Sequence, residues 1–514
     1  MRLSSALGIT IATGISRILG LVREQVIAAL FGAGLATDAY NTAFRIPNLL
    51  RDLFAEGALS AAFVPVFTDK LRNVSKTEAF RLANLVINAL LILLGAITVL
   101  IFVFARELTW VLASGFFDIA GKAELATVMA RILSPFLLFV SLAAAVMGAL
   151  NALGHFFLPA IAPALFNVVN IVVTLLLAPI MPRFGIQPII ALATGSMLGG
   201  IAQLGVQIPT LRREGYRYSA VASVRDPAVR KIAGMMAPAI IGLSVTQINV
   251  VIDTQIASHF GNGPVTWLVY AFRLMQLPIG LFGVSLATVN LAAVSRMLAG
   301  GETEAAAHSI ATSVKTSFFL NFAASAGLIA LALPIIQVIF EHGRFTHEDS
   351  EATASVLVLY VFGLSAYAAV KILVPAFYAL GDPYFPLKVS ATAIGLKIIC
   401  NISLSYVIGF SSIALTTSLA AWVNYTLLIY RLKRKLSPFE QTRLLFPVLR
   451  SFCVSAAMGV VVWALYRYLP GGRLGMLPLR LGIVIPVGMA LLFVLARASG
   501  IEEAGAIIRS IRRR

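Results

Sequence analysis

The fold is decided by residues 4–34, SSALGITIATGISRILGLVREQVIAALFGAG, a long apolar stretch that contains Arg17 and Arg23. A second apolar stretch, YAFRLMQLPIGLFGVSLATVNLAAV at 270–294, contains Arg273. About 20 apolar residues suffice to cross a bilayer as a helix. An arginine in the middle of such a helix costs roughly 2.5–3.5 kcal/mol on insertion scales, so it is expected to face water or a partner. Because a guanidinium is always charged and binds phosphate bidentately, the three arginines predict a transport cavity for an anionic, phosphate-bearing substrate.

The composition is that of a polytopic membrane protein. Of the 514 residues, 59% are hydrophobic and only 12% are charged, whereas a soluble domain has about 25% charged residues. Apolar windows of spanning length number about fourteen, which predicts an all-α fold with about fourteen transmembrane helices. The windows are 7–31, 38–66, 83–105, 126–150, 158–180, 187–208, 231–259, 265–295, 311–340, 353–379, 386–409, 411–431, 445–468 and 477–497.

The formal charge of +18 is concentrated in short loops and at the C-terminus, and the loops between them are neutral or acidic, as at 341–351. This is the positive-inside pattern, which predicts that both termini are cytoplasmic and argues against nucleic-acid binding. An exception is the loop after residue 466, whose arginines this orientation places on the outer side. The basic clusters are Lys70, Arg72, Lys76 and Arg81; Arg212, Arg213, Arg217, Arg225, Arg230 and Lys231; Arg431, Lys433, Arg434 and Lys435; and Arg509, Arg512, Arg513 and Arg514, and the exceptions are Arg467, Arg473 and Arg480.

An internal duplication sets the domain organisation. FGAG at 31–34 recurs as FGNG at 260–263, AFR at 43–45 recurs at 271–273, and ALG-x-x-x-x-P at 152–159 recurs at 379–386, with shifts of 227 to 229 residues. Each unit holds six spans, so the halves share one orientation and the substrate site is expected between them. The predicted divisions are an N-terminal six-helix lobe at 1–208, a basic cytoplasmic linker at 209–230, a C-terminal six-helix lobe at 231–432, and two extra helices with a basic tail at 433–514.

Charged residues within the predicted spans are the candidates for the site. Arg17 and Arg23 are six residues apart, about 9 Å along a helix, so they would line one cavity at two depths. Glu24, seven residues from Arg17, would limit the excess positive charge. Arg45 and Arg273 occupy matching positions in the two halves, and Asp253 in the seventh span is a candidate cation or proton site.

The second span carries an unusual number of charges, and a charged stripe cannot face lipid. Intramembrane ion pairing and direct substrate contact both remain open for its residues. Arg51 and Glu56 are also candidates for a gate that is made when one side of the cavity closes. The charged positions are Asp38, Arg45, Arg51, Asp52 and Glu56.

No enzyme signature is present in the sequence. It has no GxxxxGK[ST] phosphate loop, no evident nucleophile–base pair and no metal-ligand spacing among its five histidines. Cys400 and Cys453 lie in apolar runs and are expected to be free thiols. We therefore expect a transporter that has no cofactor and no metal.

The residues also carry a family resemblance. The stretch SRILGLVREQVIAALFGAGLATDAYNTAFRIPNLLRDLFAEGALSAAFVPVF at 16–67 closely resembles the N-terminal signature of the MurJ (MviN) family. These are lipid II flippases of the multidrug/oligosaccharidyl-lipid/polysaccharide exporter superfamily. The similarity continues at AFRLMQLPIGLFGVSLATV (271–289) and PAFYALGDPYFPLKV (375–389), and covers essentially the whole chain.

The resemblance implies transport of lipid II, an undecaprenyl pyrophosphate carrying a disaccharide-pentapeptide, across the bacterial cytoplasmic membrane for peptidoglycan synthesis and cell shape. The transporter would work by alternating access. Its expected partners are membrane lipids and the cell-wall synthesis machinery. The family's cavity arginines fall on Arg17, Arg23 and Arg273. Its C-terminal pair of spans would form a groove for the polyprenyl tail.

This chain departs from some relatives beside Arg273, where Phe272 and Gln276 stand at positions that carry acids. The alternatives are a flippase for another undecaprenyl-linked glycan, such as O-antigen or capsule units, and a cation-coupled drug exporter. A drug exporter usually carries cationic substrates and would need acidic residues in the cavity, so the three arginines argue against this alternative. A non-transporting scaffold of the cell-wall machinery would need no charges at mid-membrane.

Overall fold

The structure is a computed structural model of the chain, and it describes residues 3–223, 225–436, 439, 444–469, 476–501 and 503–505, with the side chains of 3–7, 9–10, 55–58, 239, 241 and 245 left out. Within this part of the chain all regular structure is helical. The described residues therefore confirm the predicted all-α fold class. By packing, the chain divides into two compact units, Met1–Thr266 with Gly343–Phe345, and Trp267–His342 with Thr346–Arg514.

The described residues of the first unit form ten α-helices and three short helical segments of other types. The α-helices are α1 (Leu3–Phe31), α2 (Leu35–Arg51), α3 (Ser60–Asn73), α4 (Lys76–Val103), α5 (Ala105–Ala113), α6 (Lys122–Ala152), α7 (Phe157–Leu177), α8 (Ile190–Gly205), α9 (Ile208–Arg213) and α10 (Pro227–Ser258). A π-helical segment, π1 (Asp52–Leu59), joins α2 to α3, and 3₁₀ turns occupy Ser114–Asp118 and Met181–Phe184.

Helix α11 (Pro264–Pro278) begins at the end of the first unit and continues into the second. The other α-helices that the structure describes in the second unit are α12 (Ser285–Ala299), α13 (Thr303–Ala330), α14 (Ala332–Phe340), α15 (His347–Val361), α16 (Leu364–Ala379), α17 (Tyr384–Ile408), α18 (Ser411–Lys435), α19 (Leu445–Tyr468) and α20 (Leu477–Ala498). A second π-helical segment, π2 (Ile279–Val284), joins α11 to α12.

Counting the helices that are long and apolar enough to span a membrane gives fewer spans than the fourteen predicted. Among the described residues, ten helices satisfy both, and the bent pairs α13–α14 and α15–α16 raise the number to twelve. The count of fourteen is therefore not confirmed. The two remaining windows, 7–31 and 38–66, fall on α1 and on α2–π1–α3, the segments that carry the charged candidates.

Helix ends at the loops follow from local capping. The Ser75 side chain accepts a hydrogen bond from the Glu78 N–H at the start of α4, and Asp226 accepts one from the Ala228 N–H at the start of α10. Serine and aspartate are favoured here because they satisfy N–H groups that have no partner within the helix. The α13–α14 bend of 74° follows from Pro334, whose ring would clash with the carbonyl of Ala330, the last residue of α13.

The two π-helical segments support the internal duplication. They begin at Asp52 and Ile279, a separation that matches the 227-residue shift of the sequence repeat. Each follows directly on the first helix of its span, and π-helical turns inside membrane helices often mark functional positions. A proline inside a helix usually kinks or breaks it, but α2 continues through Pro47 and the irregularity begins at Asp52.

In the first unit the helices pack around α6, whose apolar window is 72% buried. Two glycines of α8 allow close packing against its neighbours. A Cβ on Gly199 would lie 2.7 Å from the Phe166 ring of α7, and one on Gly200 would lie 2.8 Å from the Phe136 ring of α6. Small residues at such contacts are the usual means by which membrane helices approach closely.

Helix α10 packs against α3, α5 and π1 in the first unit. The sequence repeat assigns the same segment to the C-terminal lobe. The predicted lobes describe the duplication, whereas the units describe packing, and the lobe boundaries remain a prediction.

The two C-terminal helices belong to the second unit and pack against α13. Their contacts form one apolar cluster with α13 and α14. A Cβ on Gly459 of α19 would lie 3.0 Å from the Ala326 side chain of α13, and one on Gly488 of α20 would lie 2.6 Å from Val462 of α19. Glycine at these two positions therefore fixes the close packing of α19 and α20.

Candidate functional site

Of the two arginines of α1, Arg23 lies against α7. Arg23 donates to Glu24 at 2.7 Å, and the side chains of the two residues are 11% and 5% exposed. The Arg23 guanidinium also lies 5.4 Å from the centre of the Phe166 ring of α7. Arg17 is exposed on the same helix. Glu24 therefore partly neutralises Arg23, while Arg17 presents its charge at the unit's surface.

Asp38 on α2 is completely buried and is paired with a lysine that sequence reasoning missed. The Lys122 Nζ lies 2.9 Å from one carboxylate oxygen of Asp38, and both side chains are 0% exposed. The same ammonium donates to the Gly261 carbonyl at 2.8 Å and to the Asn262 side chain at 3.0 Å. It also lies 4.2 Å from the centre of the Phe116 ring.

The other contacts of Asp38 tie α2 to the start of α11. Its carboxylate accepts hydrogen bonds from the backbone N–H of Gly263 at 2.7 Å and of Thr266 at 2.9 Å, and from the Thr266 hydroxyl at 2.7 Å. A carboxylate at a helix N-terminus satisfies N–H groups and interacts favourably with the helix dipole. Of the two roles left open by the sequence, the geometry of Asp38 favours ion pairing.

Lys122 had little signal in the sequence. It is a single lysine at the first residue of an apolar helix, a position where lysine normally extends to the membrane interface. One clue was available. Asp38 and Lys122 both lie at ends of predicted spans on the same side, so an ion pair between them was possible.

Near π1, the structure describes an ion pair between Arg51 and Asp52. Arg51 donates to Asp52 from Nη2 at 3.0 Å, and the side chains are 27% and 38% exposed. Gln247 of α10 donates to the second Asp52 oxygen at 3.4 Å. Arg45 is half-buried on α2, and Glu56 lies among the residues whose side chains fall outside the described part.

In the second half, Arg273 is half-buried on α11 and Gln276 is exposed. Phe272, which replaces an acid of some relatives, packs edge-on against Tyr360 with ring centres 5.4 Å apart. Asp253 is half-buried on α10. Arg273 belongs to the second packing unit and Asp253 to the first.

The basic linker is attached to α4 by polar contacts. Asn84 accepts a 2.5 Å hydrogen bond from the Tyr216 hydroxyl, and Asn88 accepts one of 2.8 Å from Tyr218. Burial raises the pKa of Tyr216 to about 12. The side chains of Asn84 and Asn88 also donate to backbone carbonyls of the linker, so the segment 216–221 is bound along α4.

Ionic contacts of Glu214 reinforce the attachment of the linker to α4. A separate ionic contact, between Lys435 and Asp382, is found in the second unit. A hydrogen bond from Lys76, and to a lesser extent one from His155, lowers the pKa of Glu214 below its ordinary value. In the second unit, a hydrogen bond from Lys435 lowers the pKa of Asp382. Among the described residues, no group of three or more histidine, cysteine, aspartate or glutamate side chains is arranged to hold a metal.

The arrangement of apolar helices with charged residues inside α1 and α2 defines a multi-pass membrane protein with a transporter fold. The same fold is found in the inward-facing structure of a multidrug resistance MATE family transporter of the MOP superfamily, with a TM-score of 0.68 at 16% identity, covering 83% of this chain and 96% of that one. The sequence model of the family "Lipid II flippase MurJ" matches residues 27–482. The chain belongs to this lipid II flippase family.

Two further similarities extend over nearly the full length. The "Probable lipid II flippase MurJ" of Vibrio cholerae is 35% identical over 448 residues, which cover 84% of this chain and 85% of that protein. The solved structure of "Lipid II flippase MurJ, inward closed conformation" has a TM-score of 0.78 at 27% identity, covering 95% of this chain and 99% of that one.

Proposed function

We propose that this protein is a lipid II flippase that moves the undecaprenyl-pyrophosphate-linked peptidoglycan precursor from the cytoplasmic to the periplasmic leaflet by alternating access. Membership of the lipid II flippase family over residues 27–482 carries the proposal. It agrees with the charged first helix, because a helix with two arginines between apolar residues fits a transporter of an anionic headgroup better than a scaffold.

Arg17, Arg23 and Arg273 are proposed to bind the pyrophosphate. Moving a diphosphate through an apolar layer requires groups that replace its hydration, and guanidinium groups do so with charge-assisted hydrogen bonds. Glu24 keeps Arg23 oriented, since the two side chains are bonded at 2.7 Å. Arg45 is proposed to contribute to the same cationic surface, while Asp38 holds the start of α11.

Release and return of the site need groups that compete with the substrate. Arg51, Asp52 and Glu56 are proposed to form the gate, and the Arg51–Asp52 pair supports this because it is exposed enough to be broken at low cost. Asp253 is proposed as the coupling site for a cation or proton. An inside-negative potential, at about 2.3 kcal/mol per charge per 100 mV, would help the empty cationic site to return.

The surroundings follow from the same proposal. The protein lies in the bacterial cytoplasmic membrane with both termini inside, where the basic loops are placed by charge. Helices α19 and α20 are proposed to guide the polyprenyl tail, since they lie outside the duplicated halves and present exposed apolar side chains. The cell-wall synthesis machinery is the proposed partner.

Complementation tests the proposal. A host depleted of its essential lipid II flippase is given this chain, and growth is compared for wild type and for Arg17→Ala, Arg23→Ala and Arg273→Ala at matched membrane levels. Arg183→Ala is the control, because Arg183 is exposed in a 3₁₀ turn between helices. We expect rescue by wild type and by the control, and loss of rescue in the three variants.

Two results would contradict parts of the proposal. If well-expressed wild type cannot rescue growth, the substrate is another lipid-linked glycan. If wild type rescues growth and all three arginine variants rescue it equally, the arginines are structural and the proposed binding of pyrophosphate is wrong.

A further inference from the structure

A histidine lies between two glutamates at the turn that joins α14 to α15 in the second unit. Nδ1 of His347 is 3.2 Å from the Glu341 carboxylate, and Nε2 is 3.5 Å from the Glu351 carboxylate. Glu341 follows the last residue of α14, His347 is the first residue of α15, and Glu351 lies one turn further along α15. The three side chains therefore connect the ends of two helices across the turn 341–346.

Burial makes the charge of the histidine important. The Glu341 side chain is 12% exposed, whereas His347 is 55% exposed. In the described contacts, His347 is the partner of the Glu341 carboxylate. A carboxylate withdrawn from water needs a hydrogen-bond donor, and a charged donor binds it more strongly than a neutral one. Glu341 is therefore best satisfied when His347 carries a proton on Nδ1.

The partners of the two ring nitrogens differ between the neutral and the charged histidine. A neutral imidazole has one N–H, whereas an imidazolium has two, so only protonated His347 can donate to both glutamates. The side-chain nitrogen of Gln337 lies 3.1 Å from the same Nδ1. Its N–H can donate to Nδ1 when that nitrogen has no proton. Nδ1 thus has one partner for each protonation state, and histidine ordinarily changes charge between pH 5 and 8.

The other charged groups of the turn have separate surroundings. Asp349 accepts hydrogen bonds from the Thr346 N–H and from the Trp267 indole N–H. The remaining charged or titratable residues of the turn are exposed to solvent, and they are His342, Arg344 and Glu348.

The helices packed against α14 and α15 add little charge at this turn. They are α13, α16, α18 and α20. The nearest parts of the first three in sequence, 316–330, 364–370 and 411–430, contain no charged residue. Helix α20 carries Arg480 in its first turn, where its guanidinium donates to the Tyr466 carbonyl. The two glutamates are therefore the acidic groups that act on His347 in the described contacts.

The middle of the turn also contributes to packing in the first unit. Gly343–Phe345 belong to that unit, and the Arg344 N–H donates to the Ala29 carbonyl of α1 at 2.9 Å. Glu341 and His347 each stand two residues from this segment. Order at the base of the turn therefore bears on whether the Arg344 N–H keeps its hydrogen bond.

We propose that Glu341, His347 and Glu351 form a pH-sensitive switch that orders the α14–α15 turn. Protonated His347 binds both carboxylates and closes the turn. As pH rises and His347 loses its proton, Nδ1 accepts from Gln337, the Glu341 carboxylate loses its donor and the turn loosens. In the orientation proposed above the turn lies on the outer side, so the switch responds to external pH. The inference goes beyond lipid II transport and does not depend on it, because the test measures the turn itself.

Hydrogen–deuterium exchange of the purified full chain tests the proposal at about pH 5 and about pH 8, the limits of the histidine range. Each measured rate is divided by the intrinsic exchange rate at that pH, and the readout is the protection of the amides at 342–346. His347→Gln is neutral at both pH values, whereas His347→Arg is charged at both. His342→Gln is the control, because His342 is an exposed histidine of the same turn whose described contact is with the Val338 carbonyl.

Wild type and His342→Gln are expected to lose protection about threefold or more from the lower to the higher pH, since a partly exposed ion pair has a modest effect on stability. His347→Arg should stay protected at both pH values, and His347→Gln should show the lower protection at both. Equal protection of wild type at the two pH values would overturn the proposal. So would a pH response in His347→Gln as large as that of wild type, or loss of the response in His342→Gln, which would assign the titration to another group.

Discussion

Replacing Lys122 by methionine removes the cationic partner of a carboxylate that has no exposed surface. Lys122 and Asp38 are both 0% exposed, and the ammonium makes three hydrogen bonds in addition to its contact with the Phe116 ring. Methionine has a similar length, so the substitution removes the charge while keeping most of the volume. The remaining contacts of Asp38 come from Gly263 and Thr266.

The magnitude follows from burial. Breaking a buried ion pair by removing one partner costs about 3–5 kcal/mol, because the other charge stays buried. The donors that remain on Asp38 place the expected cost near the lower limit, about 3 kcal/mol. For a unit of this size, that corresponds to a Tm decrease of roughly 6–12 °C.

Thermal unfolding in detergent measures this decrease, and the same substitution at an exposed pair is the control. Lys76 bonds to Glu214 at 2.7 Å, as short as a buried pair, but the two side chains are 47% and 27% exposed. Exposed pairs contribute about 0.2–1 kcal/mol. We therefore expect Lys76→Met to lower Tm by less than about 4 °C.

Two outcomes would refute the reasoning. The first is an equal decrease in Tm for Lys122→Met and Lys76→Met, because burial would then have no effect. The second is a double variant, Asp38→Asn with Lys122→Met, whose loss of unfolding free energy equals the sum of the losses in the two single variants. If the pair is coupled, the double variant should be more stable than the sum of the single variants by at least about 1 kcal/mol.

Two other predictions test local packing and pH dependence. Gly115→Ala places a Cβ 2.6 Å from a backbone carbonyl oxygen, whereas the Cβ of Gly95→Ala meets nothing within 4 Å. We therefore expect Gly115→Ala to lower Tm clearly and Gly95→Ala to leave Tm equal or higher. Equal effects of the two substitutions on Tm would contradict the packing described for Gly115. Hydrogen bonds from Lys76 and His155 hold the pKa of Glu214 below its ordinary value of 4.5, so the stabilisation is present above about pH 4.5 and is lost as pH falls through the lower folded-state pKa. The difference in Tm between wild type and Glu214→Gln should therefore be largest near neutral pH and shrink below pH 4.5, and a constant difference would contradict the assignment.

Much of the fold could be predicted because apolar length is a strong signal. All fourteen windows fall on helices, and the repeat spacing matched the positions of π1 and π2. The bend after α13 was missed, although Pro334 in the window 311–340 was a signal for it. The π-helical turns themselves could not be predicted, because they depend on backbone geometry that no residue type dictates.

The candidate site was less predictable, because the partner of a charged residue depends on tertiary packing. Arg23 and Glu24 are adjacent in sequence, and their pairing could be expected. Asp38 and Lys122 lie 84 residues apart, so their pairing required the structure. The packing of α10 with the first unit was likewise invisible in a sequence repeat, which records duplication rather than contact.

Transport in reconstituted vesicles measures directly whether this protein moves lipid II between the two leaflets. Fluorescent lipid II is placed in both leaflets, and a membrane-impermeant quencher reports how fast the inner-leaflet lipid becomes accessible. We predict that wild type and Arg183→Ala exchange lipid II, and that Arg17→Ala, Arg23→Ala and Arg273→Ala each slow the exchange about tenfold or more. Vesicles with wild type that exchange lipid II no faster than empty vesicles would contradict the account.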